Sequence, residues 1–313
     1  MGIAIDLSTN LGDLKLKNPV LVASGTGGYG VECSRLYDLN LLGGIVVKGL
    51  SVESQKGNLP PRIVETACGM LNAIGLENIG ISAFLGDKLP LLRRFETKII
   101  ANFFGYTIEE YVKAAKMLGN IDGIDALEMN ISCPNIKKGG MLFGIDPETA
   151  FFVTQRVREN VRVPLIVKLP PLLYRFKEVT DAVINGGAEI LSLMNTVPAM
   201  AIDIKKRRPK LGNITGGLSG PSIKPIALRL IYHVAKEIDI PIIGVGGIMN
   251  GSDALEHIMA GASAIAVGTA NFVNPLSPLK VLDEMKEFLA EEKIKSIKEI
   301  VGIAIVQENM KVM

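Results

Sequence analysis

Short aliphatic and β-branched runs alternate with longer amphipathic stretches from one end of this chain to the other. The runs predict strands over residues 19–23, 44–48, 99–102, 126–130, 165–169, 190–195, 242–245 and 264–267. Between them, apolar residues at three- and four-residue spacing predict helices near 32–41, 81–94, 107–118, 147–160, 177–185, 224–238 and 252–260, with a last one near 278–292. Strands separated by helices run parallel and are joined by right-handed crossovers. Eight such units predict an α/β fold, a closed (β/α)₈ TIM barrel over residues 1–313 as a single domain, in preference to an open doubly wound sheet.

Local signals agree with that layout. Thr107-Ile108-Glu109-Glu110 reads as a capping box, and Asp146-Pro147 as an N-cap followed by a proline at the first helical position. An apolar pair at 3–7 and 14–16, around a Gly12-Asp13 turn, predicts an N-terminal hairpin that plugs the bottom of the barrel. Two connections are too long for ordinary loops: 49–78 after the second strand and 196–223 after the sixth. Loops after barrel strands lie on the catalytic face, so both are candidate lids and substrate walls.

Composition narrows the function classes. With 48% hydrophobic residues in 313, the chain can bury a large core. Basic and acidic residues nearly balance, 34 against 32, which argues against nucleic acid as the main partner. The one basic run, Lys205-Lys206-Arg207-Arg208, reads as a solvated loop. Cys33, Cys68 and Cys133 are too few and too scattered for a disulfide framework or a zinc site. No signal-peptide pattern opens the sequence and no run reaches the roughly 18–20 apolar residues of a membrane span, so a cytoplasmic protein is expected.

Candidate chemistry sits at the strand ends. The second to sixth strands end at or beside Lys48, Asn102, Asn130, Lys168 and Asn195. Strands often turn polar on leaving a core, but five Lys or Asn ends in a row favour a constructed site. The seventh strand runs into Gly244-Val245-Gly246-Gly247 and the eighth into Gly268-Thr269, where barrels commonly bind phosphate. A helix beginning near Ser252 is expected to aim its positive end at the same place. Gly25-Thr26-Gly27-Gly28-Tyr29-Gly30 fits GxGxxG after the first strand, yet the second strand ends in Lys48 with no acid nearby to hold a ribose. It reads as a glycine-rich turn over a ligand, and the chain is not expected to bind NAD itself.

Cys133 lies three residues beyond Asn130, on a loop between polar groups, where a thiol can abstract a proton or attack as a nucleophile. Cys33 reads as a small buried hydrophobe, and Cys68 is open between that and a site role. His233 and His257 fall within outer helices and read as surface or packing residues, which disfavours a Cys–His hydrolase.

At these residues the sequence resembles the class 1 dihydroorotate dehydrogenases, most closely class 1B catalytic subunits. The likeness is carried by ASGT at 23–26, KG at 48–49, GMLNAIGLEN at 69–78, NISCPN at 130–135, TGGLSGPSIKP at 215–225 and VGTANF at 267–272. It spans nearly the whole chain. The resemblance implies FMN at the barrel mouth and oxidation of dihydroorotate to orotate in pyrimidine biosynthesis. Cys133 would be the base and Lys168 the cation beside the flavin. Ser24, Lys48, Gly49, Asn102, Asn130, Lys168, Met194, Gly220, Gly246, Gly247, Gly268 and Thr269 would contact FMN. Lys48, Asn72, Ala73, Ile74, Gly75, Leu76, Asn130, Asn195 and Thr196 would hold the substrate.

The class 1B likeness further implies a homodimer core and, in a heterotetramer, an iron–sulfur subunit carrying FAD that passes electrons to NAD. A cysteine base sets the chain apart from membrane-associated class 2 enzymes, which use serine, but not from fumarate-using class 1A enzymes. Leu169-Pro170-Pro171-Leu172 stands where the family commonly shows Ser-Pro-Asn, and Val197-Pro198-Ala199 is also atypical. Two other readings stay open on the residues: a dihydropyrimidine dehydrogenase-like flavoprotein, and a non-catalytic barrel that binds a phosphate ligand.

Overall fold

Eight short parallel strands pair in sequence order and close on themselves. In the computed structural model, which describes residues 5–132, 143–171 and 174–306, they are β1 (Val20–Val22), β2 (Gly44–Val46), β3 (Lys98–Phe103), β4 (Ala126–Asn130), β5 (Leu165–Lys168), β6 (Ile190–Leu193), β7 (Ile242–Val245) and β8 (Ala264–Val267). The register seals the ring: β8 pairs with β1 through Ile265 and Val20, and β5 pairs with β6 through Ile166 and Ile190. Closure leaves no strand edge exposed to pair with another chain.

Side chains alternate across each strand, so every second residue faces the barrel axis. Leu21, Ala23, Val46, Ile100, Ala126, Ile166, Ile190, Ile243, Val245, Ala264 and Ala266 form this inner cluster. The intervening residues, among them Val22, Ile45, Ala101, Leu127, Val167 and Leu191, belong to the larger core under the helices. Those helices are α1 (residues 81–92), α2 (Ile108–Leu118), α3 (Pro147–Arg158), α4 (Phe176–Asn185), α5 (Lys224–Glu237), α6 (Gly251–Met259), α7 (Ala270–Val273) and α8 (Ser277–Glu291). Thr107 caps α2 by accepting from Glu110 N–H, whereas the Glu110 carboxylate reaches the Tyr106 N–H, one residue before the expected partner. Asp146 caps α3 by accepting from Thr149 N–H.

Three expectations are corrected. Residues 32–41 form two 3₁₀ turns, Cys33–Arg35 and Leu39–Leu41, because Asp38 turns its carboxylate onto Asn40 N–H and restarts the chain between them. Helix α1 is π-wound over Phe84–Lys88. Pro90 follows directly and cannot donate to the carbonyl of Gly86, so the α-ladder is interrupted there. The N-terminal hairpin pairs Thr9–Leu11, not 3–7, with Leu14–Leu16. A two-residue turn at Gly12-Asp13 requires partners equidistant from it, and Gly12 takes the left-handed conformation at φ 58°. Asp6 instead bridges to Ser296. The hairpin does plug the barrel, since Leu11, Leu14 and Leu16 join the inner cluster.

The two long connections are one substructure. Ile63–Thr66, Gly69–Asn72, Thr215–Ser219 and Val197–Met200 form a four-stranded antiparallel sheet in that order, and Ile202–Asp203 pairs with Arg208–Pro209 at its margin. Lys205, Lys206, Arg207 and Arg208 are exposed, as expected of a solvated turn. Among the described residues, no helix is long and apolar enough to cross a membrane.

His257 is wholly buried on α6, with Nδ1 2.9 Å from the Asp253 carbonyl and Nε2 without a partner among the described residues. It packs against Gly244, where a side chain would collide with the ring. His233, by contrast, is exposed.

Two stability predictions follow from this packing. Leu11→Ala should destabilise the fold by about 2–5 kcal/mol, read as a lower urea midpoint with an unchanged slope, because it empties the base of the barrel. Burial pushes the His257 imidazole below its ordinary 6.5, against smaller opposing effects of Asp253 and Glu256. The unfolded chain therefore binds that proton first. The stability His257 contributes is present above about pH 6.5 and is lost as pH falls from there through the folded value. Unfolding free energy should decline between about pH 6.5 and 5, and His257→Leu should flatten the decline; an unchanged slope would show that His257 does not titrate as described.

Candidate active site

The inner alternation that gives apolar layers lower down delivers polar side chains at the carboxyl ends of the strands. One step above Ile100, Ala126, Ile166 and Ile190 stand Asn102, Glu128, Lys168 and Ser192, all buried. They are neighbours by register, with Asn102 opposite Glu128 and Lys168 opposite Ser192. Glu128 is 1% exposed and Lys168 6%. Charges this deep must be paired. Glu128 Oε1 accepts from Asn102 Nδ2 at 2.6 Å and lies 3.6 Å from Lys168 Nζ, which is also 3.4 Å from Ser24 Oγ. The Ser192 hydroxyl has no partner among the described residues.

Asn130 ends β4 one turn of the pleat further out. Its Oδ1 accepts from Ser132 N–H at 3.1 Å and from Asn195 Nδ2 at 3.3 Å, and its carbonyl accepts from the Tyr111 hydroxyl at 2.8 Å. Asn195 Oδ1 in turn accepts from Thr196 N–H. These bonds fix both amides. Each Asn oxygen is already engaged, which turns the Asn130 amino group to other partners. Lys48 is half-buried beside Gly49, and a side chain on Gly49 would collide with Asn102 Oδ1. Glycine at 49 thus lets the Asn102 amide sit against the main chain.

The loop residues Asn72, Ala73, Ile74, Gly75 and Leu76 reach the mouth on the accessory sheet. Asn72 Nδ2 donates to the Gly217 carbonyl at 3.3 Å, and Gly217 lies so close to Thr196 that no side chain could replace its hydrogen. Asn72 and Thr196, 124 residues apart in sequence, are therefore brought to one strand. Ala73 is buried with Leu71 and Leu211, and Leu76 adopts a left-handed φ of 59°. Asn78 locks the base of the loop. Its Nδ2 donates to Ser51 Oγ and the Leu76 carbonyl, and its Oδ1 accepts from Gly80 N–H.

On the opposite side, Gly220 approaches Gly69 and Thr269, joining the ends of both long connections to the loop after β8. Gly246 and Gly247 hold φ of 128° and 77°, conformations that favour glycine, and they pack on Ile223, Lys224 and Ala227 at the start of α5. Met194 buries its side chain among Ile223, Ala227 and Leu230, so only its main chain faces the mouth. The helix expected to aim its positive end here, α6, spends its first turn internally. Asn250 Oδ1 accepts from Asp253 N–H, Glu284 from Gly251 N–H, and Asp253 from Met249 N–H. The short α7, whose first-turn N–H groups receive no side-chain cap, begins directly after Gly268-Thr269.

The glycine run after β1 leads into a 3₁₀ turn and not into a helix, so it lacks the helix N-terminus of a dinucleotide fingerprint. Cys33 is buried and Cys68 is exposed at the turn between two accessory strands. Cys133, with the rest of its motif through Asn135, lies outside the described residues, as does Leu172. Sequence reading passed over Glu128, Ser192 and Asn78. A signal for the first existed: Glu128 interrupts the apolar strand Ala126-Leu127-Glu128-Met129-Asn130 at an inward position.

The family model described as "Dihydroorotate dehydrogenase" matches residues 6–289 of the chain. Among curated relatives, a protein of Thermodesulfovibrio yellowstonii named dihydroorotate dehydrogenase B (NAD(+)), catalytic subunit, is 52% identical over 296 residues, covering 95% of this chain and 98% of its own. One of the same name from Geotalea uraniireducens is 50% identical, with 96% and 98% covered. Among solved structures, a dihydroorotate dehydrogenase from Eimeria tenella crystallised with ferulenol superposes with a TM-score of 0.79 over 95% of this chain and 88% of its own. At 22% identity, that likeness concerns the fold.

Proposed function

This chain belongs to the dihydroorotate dehydrogenase family, and from that premise we propose that it oxidises dihydroorotate to orotate with FMN, in pyrimidine biosynthesis. The observation that carries the reading is Lys168, a buried cation at the barrel mouth held between the Ser24 hydroxyl and the Glu128 carboxylate, which Asn102 also meets. The chain itself fits a flavin on two counts. The Ser192 hydroxyl, buried opposite Lys168, has no partner among the described residues, and the glycines at 220, 246, 247 and 268 leave the main chain without side chains where the flavin's phosphate would lie. Ser24, Lys48, Gly49, Asn102, Asn130, Lys168, the Met194 main chain and Thr269 complete the set that would hold the cofactor.

When bound, FMN supplies a two-electron acceptor. The protein's part is to orient, to place charge and to move a proton. Lys48, Asn130, Asn195, Thr196 and the segment 72–76 would hold the substrate, whose ring alternates carbonyl and amide groups that asparagines can match from both sides. Lys168 would place fixed positive charge where negative charge develops, in a site from which water is largely excluded. Cys133, by its place in the NISCPN motif, would take the proton from the ring carbon beside the carbonyl. The relatives' designation as catalytic subunits supports an electron-transfer partner, proposed here as an iron–sulfur subunit with FAD that reduces NAD in a heterotetramer around a homodimeric core.

The visible spectrum of the purified protein before and after anaerobic dihydroorotate tests the reading directly. Bleaching of a flavin spectrum by dihydroorotate, with dihydrouracil inert, is expected; a colourless protein would exclude it. Lys168→Ala should slow flavin reduction about 10²–10³-fold, close to 3–4 kcal/mol of barrier, in stopped-flow traces with FMN still bound. Cys133→Ala should keep FMN and bind orotate yet lose about 10² or more in reduction rate. Wild-type rates should rise with pH through the thiol's ionisation, ordinarily near 8.5, and Cys133→Ser should regain some activity at higher pH. Cys68→Ser is the control. Wild-type reduction in Cys133→Ala together with loss in Cys68→Ser would assign the base to the other cysteine.

A further inference from the structure

The carboxylate of Glu128 has no part in the family motifs quoted above, yet it is among the most buried charges in the barrel. It stands in the middle of β4 on the inward face, where its neighbours on the same face are Ala126 below and Asn130 above. An ionised side chain in that position is costly unless it is paired and hydrogen-bonded. Among the described residues its carboxylate meets two side chains, both of the candidate site, Asn102 Nδ2 at 2.6 Å and Lys168 Nζ at 3.6 Å. The Lys168 ammonium otherwise meets only the Ser24 hydroxyl, at 3.4 Å, among the described residues. The one buried cation of this layer is thus tied to one buried anion, from the next strand.

We propose that Glu128 is a positioning residue which fixes the place and the net charge of the Lys168 ammonium, and through it sets the reduction potential of the bound flavin. The proposal rests on the FMN reading. A lone ammonium beside the flavin would favour the reduced, anionic form strongly. A carboxylate 3.6 Å behind that ammonium opposes the same charge and lowers the preference. The pair therefore delivers a partial positive field of fixed direction, aimed from Lys168. Glu128 also determines the sense of the Asn102 amide. Because Nδ2 is given to Glu128, the carbonyl oxygen is the end turned to Gly49 at the mouth, and it is an acceptor. A merely structural Glu128 would pair Lys168 for the sake of folding and leave the flavin's potential to other groups.

The experiment uses the FMN-loaded protein and reads the flavin's equilibrium, not turnover. Glu128→Gln keeps the shape and an acceptor for Asn102 while removing the charge. In anaerobic redox titrations, the equilibrium constant for two-electron reduction of the flavin should rise about tenfold, equivalent to about +30 mV. Lys168→Met should shift it the other way, and adding Glu128→Gln to Lys168→Met should then have little further effect, because a carboxylate buried without its cation is neutralised and leaves no charge for the second change to remove. Glu128→Asp, with its carboxylate withdrawn by one methylene, should move the constant in the same direction as Gln but less. It carries the test if the Gln variant fails to bind FMN. An unchanged potential in a flavin-loaded Gln or Asp variant overturns the proposal, as does an equal shift with and without Lys168. Absence of flavin from the wild-type protein would instead overturn the FMN reading, so the two failures are distinct.

Discussion

A closed parallel barrel offers each strand one inward face, and the pleat admits only every second residue to it. Nearly everything at the mouth of this molecule follows from that restriction. The side chains that line the axis are small or aliphatic through the lower layers, with the N-terminal hairpin supplying Leu11, Leu14 and Leu16 as a floor. The same parity then carries Asn102, Glu128, Lys168 and Ser192 inside. All four are buried, so each is costly unless it finds a partner in a neighbouring strand or in a ligand. Glu128 and Lys168 find each other across the β4–β5 pair, and Asn102 joins them from β3. Among the described residues, the Ser192 hydroxyl is left without a partner.

Above this layer the architecture changes from regular to improvised. Two connections that are long on paper satisfy their backbone groups by pairing with each other, as a four-stranded antiparallel sheet laid over the barrel. Close approach of Gly217 to the Thr196 side chain and of Gly220 to the Gly69 main chain is what lets them meet. Asn72 and Thr196 are thereby held by a frame separate from the one that holds Lys168 and Asn130. A site built from two frames can keep its inner charges rigid while the outer wall adjusts around what binds. Helix α6 contributes to the glycine-rich side by packing, through His257 against Gly244, with its own first-turn N–H groups at Gly251 and Asp253 taken by Glu284 and Asn250.

How much of this was legible in the chain varied with the range of the interaction concerned. Strand ends such as Lys48, Asn102, Asn130 and Lys168 stood out because a polar residue closing an apolar run is a local signal. Cys133 stood out as a thiol on a loop just past the fourth strand, among polar groups, although its geometry lies outside the described residues. Glu128 was equally visible as a charge inside an apolar strand, but its meaning depended on which face of β4 turns inward. The hairpin partners could have been counted outward from Gly12-Asp13, since a two-residue turn leaves no freedom in the register. The 3₁₀ turns at Cys33–Arg35 and Leu39–Leu41 could not, because their apolar spacing is the same as a helix would show.

By itself the sequence determined the eight strands and the helices that follow seven of them, their parallel direction, the polar carboxyl ends and the motifs of the family. These are properties of periodicity and of neighbouring residues, and they survive without knowledge of what packs on what. The tertiary structure decided the pairing of Lys168 with Glu128, the meeting of residues 69–76 with residues 196–219, and the diversion of the α6 N-terminus. The first two join groups dozens of residues apart through distances of a few ångströms, and the third does so where Glu284 meets Gly251 N–H. Barrel closure and strand register alone fix such distances, and neither is written at any single position in the chain.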